Sequence, residues 1–383
     1  MTKKSIVFTV MLVLLMLVFI EFSVRIFTAV IGPRDPRLSF ASFKGKEWAV
    51  DLLKESEDMV YYTFFDPYTM WSVKNHKGKY VNSDAEGRRL TWNPPMSSSG
   101  KVVNVYTFGG STMFGAGSRD DYTIASDLSK SMNLKSAKYY ISNYGQPAYR
   151  FNQEVLKLIL LIKDGKKPDW AIFYDGVNDV TISYEAGQAY SIGEENAIRN
   201  KLQGSNLDYF TMGARGILGN ICESCKITFH FIKDFRSNIS GKAVWPRPVV
   251  GQSYSEEKRE SLANDISRDY QTTLDLLDKL SKAYGFKYVV FWQPSLLDGK
   301  GFIGDEKALE KIDFAMQDSN LLDLYRRVHG KISQIKNPNF FDISQVLDKR
   351  QNQIYYDKVH VSEEGNEIIS QAIFKILNEK YGL

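Results

Sequence analysis

The sequence has only two cysteines among its 383 residues, which excludes a small scaffold held together by several disulfide bonds. It also has little excess charge, since 49 Lys and Arg against 45 Asp and Glu leave +4, far too little for a nucleic-acid-binding surface. Four histidines leave few candidates for a general base. The apolar fraction of 43% and the charged fraction of 25% are ordinary for a globular chain. They exclude a largely disordered protein and a polytopic membrane protein.

One long uncharged run, Ser5 to Ile20, follows two lysines at the N-terminus. After two interrupting charges the apolar residues continue to Ile31, which gives enough length to cross a bilayer as a helix. A cleaved signal peptide is the alternative, but the run is longer than its usual apolar region and no small-residue cleavage site follows. We therefore predict that residues 1–33 form a cytoplasmic tip and a single membrane anchor. The lysines then place the rest of the chain outside the cytoplasm, in the periplasm or the extracellular space.

The rest of the chain divides by pattern. Residues 34–100 lack clear periodicity and are rich in aromatics, so we interpret them as a connector that packs on the main domain, residues 101–383. There, short apolar runs predict strands at 102–108, 139–144, 170–174, 287–292 and 340–343, with helical patterns between them. This alternation predicts a central parallel sheet of about five strands covered by helices on both faces. Residues 181–254 do not fit it and are predicted to be an insertion.

A candidate nucleophile follows the first of these strands, in Gly109-Gly110-Ser111-Thr112. Glycines permit a tight turn there, and a serine hydroxyl needs a base to become nucleophilic at neutral pH. His360 stands out among the histidines because Asp357 lies three residues before it. A carboxylate can orient an imidazole, whose other nitrogen can then take the serine proton. Ser111, His360 and Asp357 are therefore the predicted catalytic residues.

Two further strand ends carry groups that could stabilise an oxyanion. The second strand runs into Gly145, which can present a backbone N–H, and the third is followed by Asn178, which has a side-chain amide. The backbone N–H of Ser111 is the third predicted donor. Because active sites of parallel sheets form at the carboxyl ends of the strands, these groups are expected to meet there.

Other sites receive less support. The loop after Gly110 lacks the Lys-Ser/Thr pair of a phosphate-binding loop, and Met113 stands where the elbow of α/β-hydrolases has glycine. Cys222 and Cys225 have no second cysteine pair to complete a metal site, and a local disulfide and two free thiols both remain open. Three histidines are expected to be surface or hydrogen-bonded residues: His76, His230 and His329.

These blocks together resemble the SGNH, or GDSL-type, hydrolases over about residues 102–378. The nucleophile block has Gly-Gly-Ser in place of the usual Gly-Asp-Ser, and it is followed in order by Gly145, Gly176-x-Asn178-Asp179 and Asp357-x-x-His360. The resemblance implies a flavodoxin-like three-layer α/β/α sandwich. It also implies that Ser111 is the nucleophile, His360 the base and acid, and Asp357 its orienting partner. The oxyanion hole would comprise Ser111, Gly145 and Asn178, and no metal or organic cofactor is implied.

A looser likeness concerns the anchor and the stretch Asp84-x-Glu86-Gly87-Arg88, which is similar to membrane-anchored members linked to surface-polysaccharide biosynthesis. We therefore hypothesise an anchored extracytoplasmic serine esterase or O-acyltransferase that acts on acyl groups, chiefly acetyl, of a glycan, with polysaccharide-biosynthesis proteins as partners. A lipid esterase or thioesterase is one alternative. A non-catalytic scaffold of a polysaccharide assembly machine that kept the fold is another.

Overall fold

The computed structural model describes residues 3–31, 35–61, 63–96, 101–193, 253–299, 309, 313 and 316–383. The chain separates into two compact units, Met1–Pro36 with Glu194–Val249, and Arg37–Gly193 with Val250–Leu383. Cys222, Cys225, His230 and most of the predicted insertion lie outside the described residues.

The first unit contains helix α1, Lys3–Ile31. Its two central charges form an ion pair one turn apart, in which Arg25 Nε donates to Glu21 Oε1 at 2.8 Å. Within the part of the chain that the structure describes, no helix reaches both the length and the hydropathy of a membrane span.

The second unit begins with structure that the pattern of residues 34–100 did not predict. A 3₁₀ turn, Pro36–Ser39, leads to helix α2, Ala49–Tyr61, whose Leu52 and Leu53 are buried. An antiparallel hairpin follows, β1 (Thr63–Asp66) with β2 (Met70–Val73), and then the short pair β3 (His76–Lys77) with β4 (Asn82–Ser83). Strands of two to four residues are too short to show an alternating pattern in the sequence.

A five-stranded parallel sheet forms the centre of this unit, as the sequence predicts. Its strands are β5 (Val103–Gly109), β6 (Tyr139–Asn143), β7 (Trp170–Asp175), β8 (Lys287–Trp292) and β9 (Phe340–Asp342). They lie in the order β6-β5-β7-β8-β9, with every neighbouring pair parallel. This is the flavodoxin-like order, in which the first strand of the sheet has the second on one side and the third on the other.

Helices cover both faces of the sheet. They are α3 (Ser111–Phe114), α4 (Ile124–Met132), α5 (Phe151–Lys163), α6 (Val177–Ala186), α7 (Glu256–Tyr284), α8 (Ser319–Ile332) and α9 (Glu363–Tyr381). Successive residues of β7 alternate between two apolar cores, Ile172 packing in the core with α4 and α9, and Phe173 in the core with α5 to α8. This unit therefore has three layers. Because α6 reaches Ala186, the predicted irregular insertion does not begin at residue 181.

Two asparagine side chains close the outer edge of β6. Asn93 accepts from the N–H of Ile141 at 2.8 Å and donates to its carbonyl at 2.9 Å. Asn133 does the same for Tyr139, at 2.9 Å in both directions. Each amide replaces the backbone of a neighbouring strand, so this edge does not offer those groups to another chain.

Candidate active site

The candidate nucleophile lies at the turn from β5 into α3. Gly110 is the N-cap and Ser111 is the first helical residue, so the Ser111 N–H belongs to the first turn, where no intrahelical acceptor exists. The turn is held by hydrogen bonds from Phe114 N to Gly110 O and from Gly115 N to Ser111 O, each 3.0 Å long. Ser111 is half-buried.

His360 and Asp357 lie on the loop before α9 and reach Ser111. Asp357 Oδ1 accepts the backbone N–H groups of Val359 and His360 at 2.8 and 2.7 Å, which closes a tight turn between the two side chains. Asp357 Oδ2 is 2.6 Å from His360 Nδ1, and His360 Nε2 is 2.6 Å from Ser111 Oγ. An ionised carboxylate can only accept, so the Nδ1 atom carries the hydrogen. The Nε2 atom of the neutral ring is then left to accept from the serine hydroxyl.

The surroundings of Asp357 keep this carboxyl ionised. Burial by itself would raise its pKa, but the adjoining His360, the cation of Lys358 and the backbone N–H donor hold the pKa of Asp357 well below its usual range. The ring of Tyr356 stacks on that of His360, with centroids 5.8 Å apart and planes 10° from parallel. Charge on one side and an aromatic face on the other therefore fix the orientation of the imidazole.

Asn178 lies in the first turn of α6, directly beside the nucleophile turn. Its Nδ2 atom donates to the carbonyl of Tyr149 at 2.8 Å, which uses one of its two amide hydrogens. A Cβ atom built on Gly110 would come within 2.4 Å of the same Nδ2 atom. The amide of Asn178 thus packs against the backbone that precedes Ser111, and its part in the oxyanion hole stays a prediction.

Gly145 follows β6 and packs against α3, since a Cβ atom there would lie 2.5 Å from the N atom of Phe114. Its own N–H donates to Asn143 Oδ1 at 2.9 Å, and Asn143 Nδ2 donates to Met113 O at 2.8 Å. The part of Gly145 in the oxyanion hole stays a prediction, and in this structure its N–H already has an acceptor. Local sequence gave no sign that Asn143 would compete for it.

A second histidine near the strand ends differs from His360 in one decisive way. His329 Nδ1 is 3.0 Å from Asp298 Oδ1, and His329 Nε2 is 2.8 Å from Asp342 Oδ2. Burial alone would lower its pKa, but hydrogen bonds and charges from the two carboxylates outweigh it and raise the pKa of His329 to about 9. With both nitrogens donating to carboxylates, this ring is held as a cation and cannot serve as a base. It is hydrogen-bonded, as expected from the sequence.

One residue that sequence reasoning missed holds the loop after α3. Arg89 is buried; its Nε donates to Asp120 Oδ1 and its Nη2 to the carbonyl of Ser118, both at 2.8 Å. Its partners lie about thirty positions away, so no local spacing could identify it. The only nearby feature that the sequence singled out is the stretch from Asp84 to Arg88, which directly precedes Arg89.

A cavity of about 450 Å³ runs along the outer edge of β6, between residues 75–93 and 140–143. Ser111, His360 and Asp357 do not line it, so it is separate from the candidate active site. Among the described residues, no group of three or more His, Cys, Asp or Glu side chains is arranged to hold a metal ion.

Comparison with known proteins gives a family but no curated relative, since no curated protein matches the sequence. Solved structures with some likeness include the acetyl xylan esterase AlAXEase, with 14% identity, a TM-score of 0.35 and coverage of 72% of this chain and 100% of that one. The acetylxylan esterase Axe2 of Geobacillus stearothermophilus has 13% identity, a TM-score of 0.32 and coverage of 73% and 95%. The lipase/acylhydrolase of Enterococcus faecalis has 11% identity and a TM-score of 0.33, with coverage of 73% of this chain and 97% of that one.

The sequence model of one family, described as GDSL-like lipase/acylhydrolase, matches residues 105–373. This match covers more than half of the chain and runs from within β5 into α9. The chain therefore belongs to the GDSL-like lipases and acylhydrolases and is an ester-hydrolysing serine hydrolase.

Proposed function

We propose that the protein is a membrane-anchored, extracytoplasmic serine esterase or O-acyltransferase that uses Ser111, His360 and Asp357 on acyl groups, chiefly acetyl, of a glycan. The observation that carries the catalytic part is the continuous pair of 2.6 Å contacts from Asp357 through His360 to Ser111 Oγ. A serine hydroxyl gains nucleophilicity when a neutral imidazole accepts its proton as it attacks.

In the first half of the proposed reaction, Ser111 Oγ attacks the ester carbonyl while His360 Nε2 takes the hydroxyl proton. The negative charge that develops on the carbonyl oxygen is stabilised by the N–H of Ser111, the amide of Asn178 and the N–H of Gly145. Gly145 can contribute only if its N–H exchanges Asn143 Oδ1 for the oxyanion. The C–O bond to the alcohol then breaks, His360 returns the proton to the departing oxygen, and the acyl group stays on Ser111.

The second half repeats these steps with an incoming hydroxyl. His360 removes the proton from water or from a sugar hydroxyl, the new oxygen attacks the acyl-serine, and Ser111 recovers its proton. Water completes an esterase cycle, and a sugar completes a transferase cycle. The same residues serve both cycles, so the acceptor decides between them.

The proposals of a membrane anchor and of a glycan substrate are supported by features of the sequence. The uncharged run from Ser5 to Ile20 after two lysines supports an anchor, several of whose side chains lie outside the described residues. The likeness of residues 84–88 to anchored members linked to surface polysaccharides supports a glycan substrate. Outside the cytoplasm, such a site would meet polysaccharide rather than metabolic esters.

A serine-reactive phosphonate probe tests the nucleophile directly. We expect the full-length protein to be labelled at Ser111 and Ser111→Ala to remain unlabelled, while Ser118→Ala, a change in the loop that follows α3, keeps the label. Absence of labelling in the folded wild-type protein would contradict catalysis and favour the scaffold alternative.

Glycan acylation in cells tests the substrate. Surface glycan from a strain that carries Ser111→Ala should show the same change in acetyl content as a deletion strain. Raised acetyl content in both strains identifies an esterase, and lowered content identifies a transferase. A deletion strain that differs from wild type while the Ser111→Ala strain does not would instead show a non-catalytic role.

The anchor is tested by membrane fractionation. Wild-type protein should remain in carbonate-washed membranes, and Leu15→Arg combined with Leu17→Arg should release it. Leu134→Arg, a change at an exposed position of the second unit, is the control and should stay with the membranes. Release of the wild-type protein by carbonate would contradict the anchor.

A further inference from the structure

The loop between β6 and α5, residues 145–149, has a conformation that its own sequence does not favour. Ala148 has a φ of +59°, in the left-handed region that residues with a side chain rarely adopt. Such a conformation persists when neighbouring structure imposes it. The residues that hold this loop come from the region 71–87, far away in the sequence.

The first attachment is made by Trp71 of β2. Its Nε1–H donates to the carbonyl of Pro147 at 2.9 Å, and its own carbonyl accepts from the hydroxyl of Tyr149. The rings of Trp71 and Tyr149 pack edge to face, with centroids 5.6 Å apart. These contacts hold the residues on both sides of Ala148, so the hairpin fixes the left-handed turn.

The second attachment is made by Gln146, which is fully buried. Its Oε1 accepts the N–H of Val73 at 2.8 Å, and its Nε2 donates to the carbonyl of Gly87 at 2.7 Å. One side chain therefore joins the start of the loop to β2 and to the turn after β4. The loop is held at both ends by groups outside the central sheet.

The last residue of this loop, Tyr149, contacts the amide of Asn178, which belongs to the proposed oxyanion hole. Tyr149 donates its hydroxyl to the carbonyl of Trp71, and its own carbonyl accepts from Asn178 Nδ2 at 2.8 Å. This bond selects which hydrogen of the Asn178 amide is used internally and which points towards the oxyanion. We infer that Trp71, acting through Tyr149, is a positioning residue that sets the direction of the Asn178 amide; this inference rests on the proposed function.

The energetic reason is that an oxyanion donor acts by being in place before the charge develops. A shift of about 1 Å can reduce a rate by about a hundredfold without loss of substrate binding. Trp71 touches neither the nucleophile nor the general base, so its effect should appear in kcat and only through Asn178.

The experiment compares two single variants with wild type. Trp71→Phe keeps an aromatic ring but removes the Nε1–H donor, and Tyr149→Phe removes the hydroxyl donor. With a small acetyl ester we expect either change to lower kcat by about ten- to a hundredfold, with KM within twofold. Tyr68→Phe, on the exposed tip of the same hairpin, is the matched control and should leave both constants unchanged. Unchanged kcat in both variants would overturn the inference.

A double-mutant cycle separates positioning from general damage. Asn178→Ala removes the group that Trp71 is said to position, so Trp71→Phe should cause no further loss in that background. Losses that multiply would show that Trp71 acts elsewhere and would also overturn the inference.

A crystal structure of Trp71→Phe gives a readout that does not need activity. We expect the contact between Asn178 Nδ2 and Tyr149 O to open beyond 3.5 Å, the limit of a hydrogen bond. A retained contact would contradict the inference even if the wild-type enzyme proved inactive. An inactive wild type with an opened contact would instead contradict the proposed function alone.

Discussion

Two histidines of this protein lie beside carboxylates at the carboxyl edge of the sheet, and their second nitrogens separate their roles. His360 Nε2 faces the hydroxyl of Ser111 at 2.6 Å, whereas His329 Nε2 faces the carboxylate of Asp342 at 2.8 Å. A hydroxyl can give its proton to the ring, whereas the second carboxylate beside His329 keeps that ring protonated. The base is therefore identified by the group on the far side of the ring and not by the presence of an Asp-His pair.

This difference predicts opposite outcomes for two substitutions. His360→Ala should lower turnover of a small acetyl ester by about 10³ or more, because among the described residues only His360 contacts Ser111 Oγ and can take its proton. His329→Asn should leave turnover within about threefold, since this ring only donates to structural carboxylates. Initial rates at pH 7 provide the measurement. Near-wild-type activity of His360→Ala would remove His360 from the mechanism.

Gly110 stands where related nucleophile blocks carry a side chain, and the structure gives a reason for glycine here. Its φ of −77° is open to any residue, so the constraint is the 2.4 Å approach of a Cβ atom to Asn178 Nδ2. Gly110→Ala should therefore push the Asn178 amide aside and lower kcat by about tenfold or more, with little change in stability. Thermal denaturation and steady-state kinetics measured together check this. A variant with full kcat would mean that Asn178 tolerates the displacement.

At this scale the sequence predicts residues whose partners are close in the chain or share a strand end. Asp357 and His360 are three positions apart, and Ser111 and Asn178 each follow a strand of the sheet. The roles of Asn143 and Trp71 were not predicted. Each side chain donates to a carbonyl that is distant in sequence, Met113 O or Pro147 O, and only the folded structure brings donor and acceptor within 3 Å.

At the scale of elements, residues 63–93 hold loops and an edge of the sheet domain and are more than a connector. They supply the hairpin that holds the loop after β6, the Asn93 amide that closes the sheet edge, and the Arg89 guanidinium that holds the loop after α3. The long strands β5, β7 and β8 were predicted to within one residue because a short apolar run marks each of them in the sequence. The short hairpins were not, because their stability comes from the loops on which they pack.

Arg89 allows a direct test of this attachment. Its side chain is fully buried, and removing it leaves the nearly buried carboxylate of Asp120 without its cation, with hydrogen bonds from Asn82 remaining. Arg89→Met should therefore lower the free energy of unfolding by about 3 kcal/mol or more. Urea denaturation followed by tryptophan fluorescence gives this quantity. Lys79→Met breaks an exposed pair with Asp51 and serves as the control, with little expected change. Equal midpoints for the two variants would show that Arg89 does not hold the loop.

At the scale of the whole molecule, the His329 cluster joins parts of the fold that are distant in sequence. Asp342 ends β9, Asp298 follows β8 in a short 3₁₀ turn, and His329 comes from α8. The ring of His329 also stacks on Trp292 at the end of β8, with centroids 5.8 Å apart and planes 2° from parallel. The cluster therefore connects one helical layer to the sheet through a charge that exists only while the imidazole is protonated.

That charge gives the stability of the fold a predictable dependence on pH. The pKa of His329 is raised from 6.5 to about 9 in the folded protein, so the folded state binds more protons than the unfolded state between these values. Its contribution is complete below pH 6.5 and is lost as the pH rises through about 9. The loss should be on the order of 2 kcal/mol, allowing for partial exposure of Asp342 to solvent.

The measurement is the free energy of unfolding of wild type and His329→Gln at pH 6 and at pH 10. Wild type should be the more stable protein at pH 6, and the difference between the two should shrink towards pH 10, because glutamine cannot lose a proton. Comparing the two proteins cancels other groups that titrate in this range. A difference that stays constant from pH 6 to pH 10 would show that His329 is not held as a cation. It would then no longer be excluded as a base by its charge, and the 2.6 Å contact of His360 Nε2 with Ser111 Oγ would be what distinguishes His360 from it.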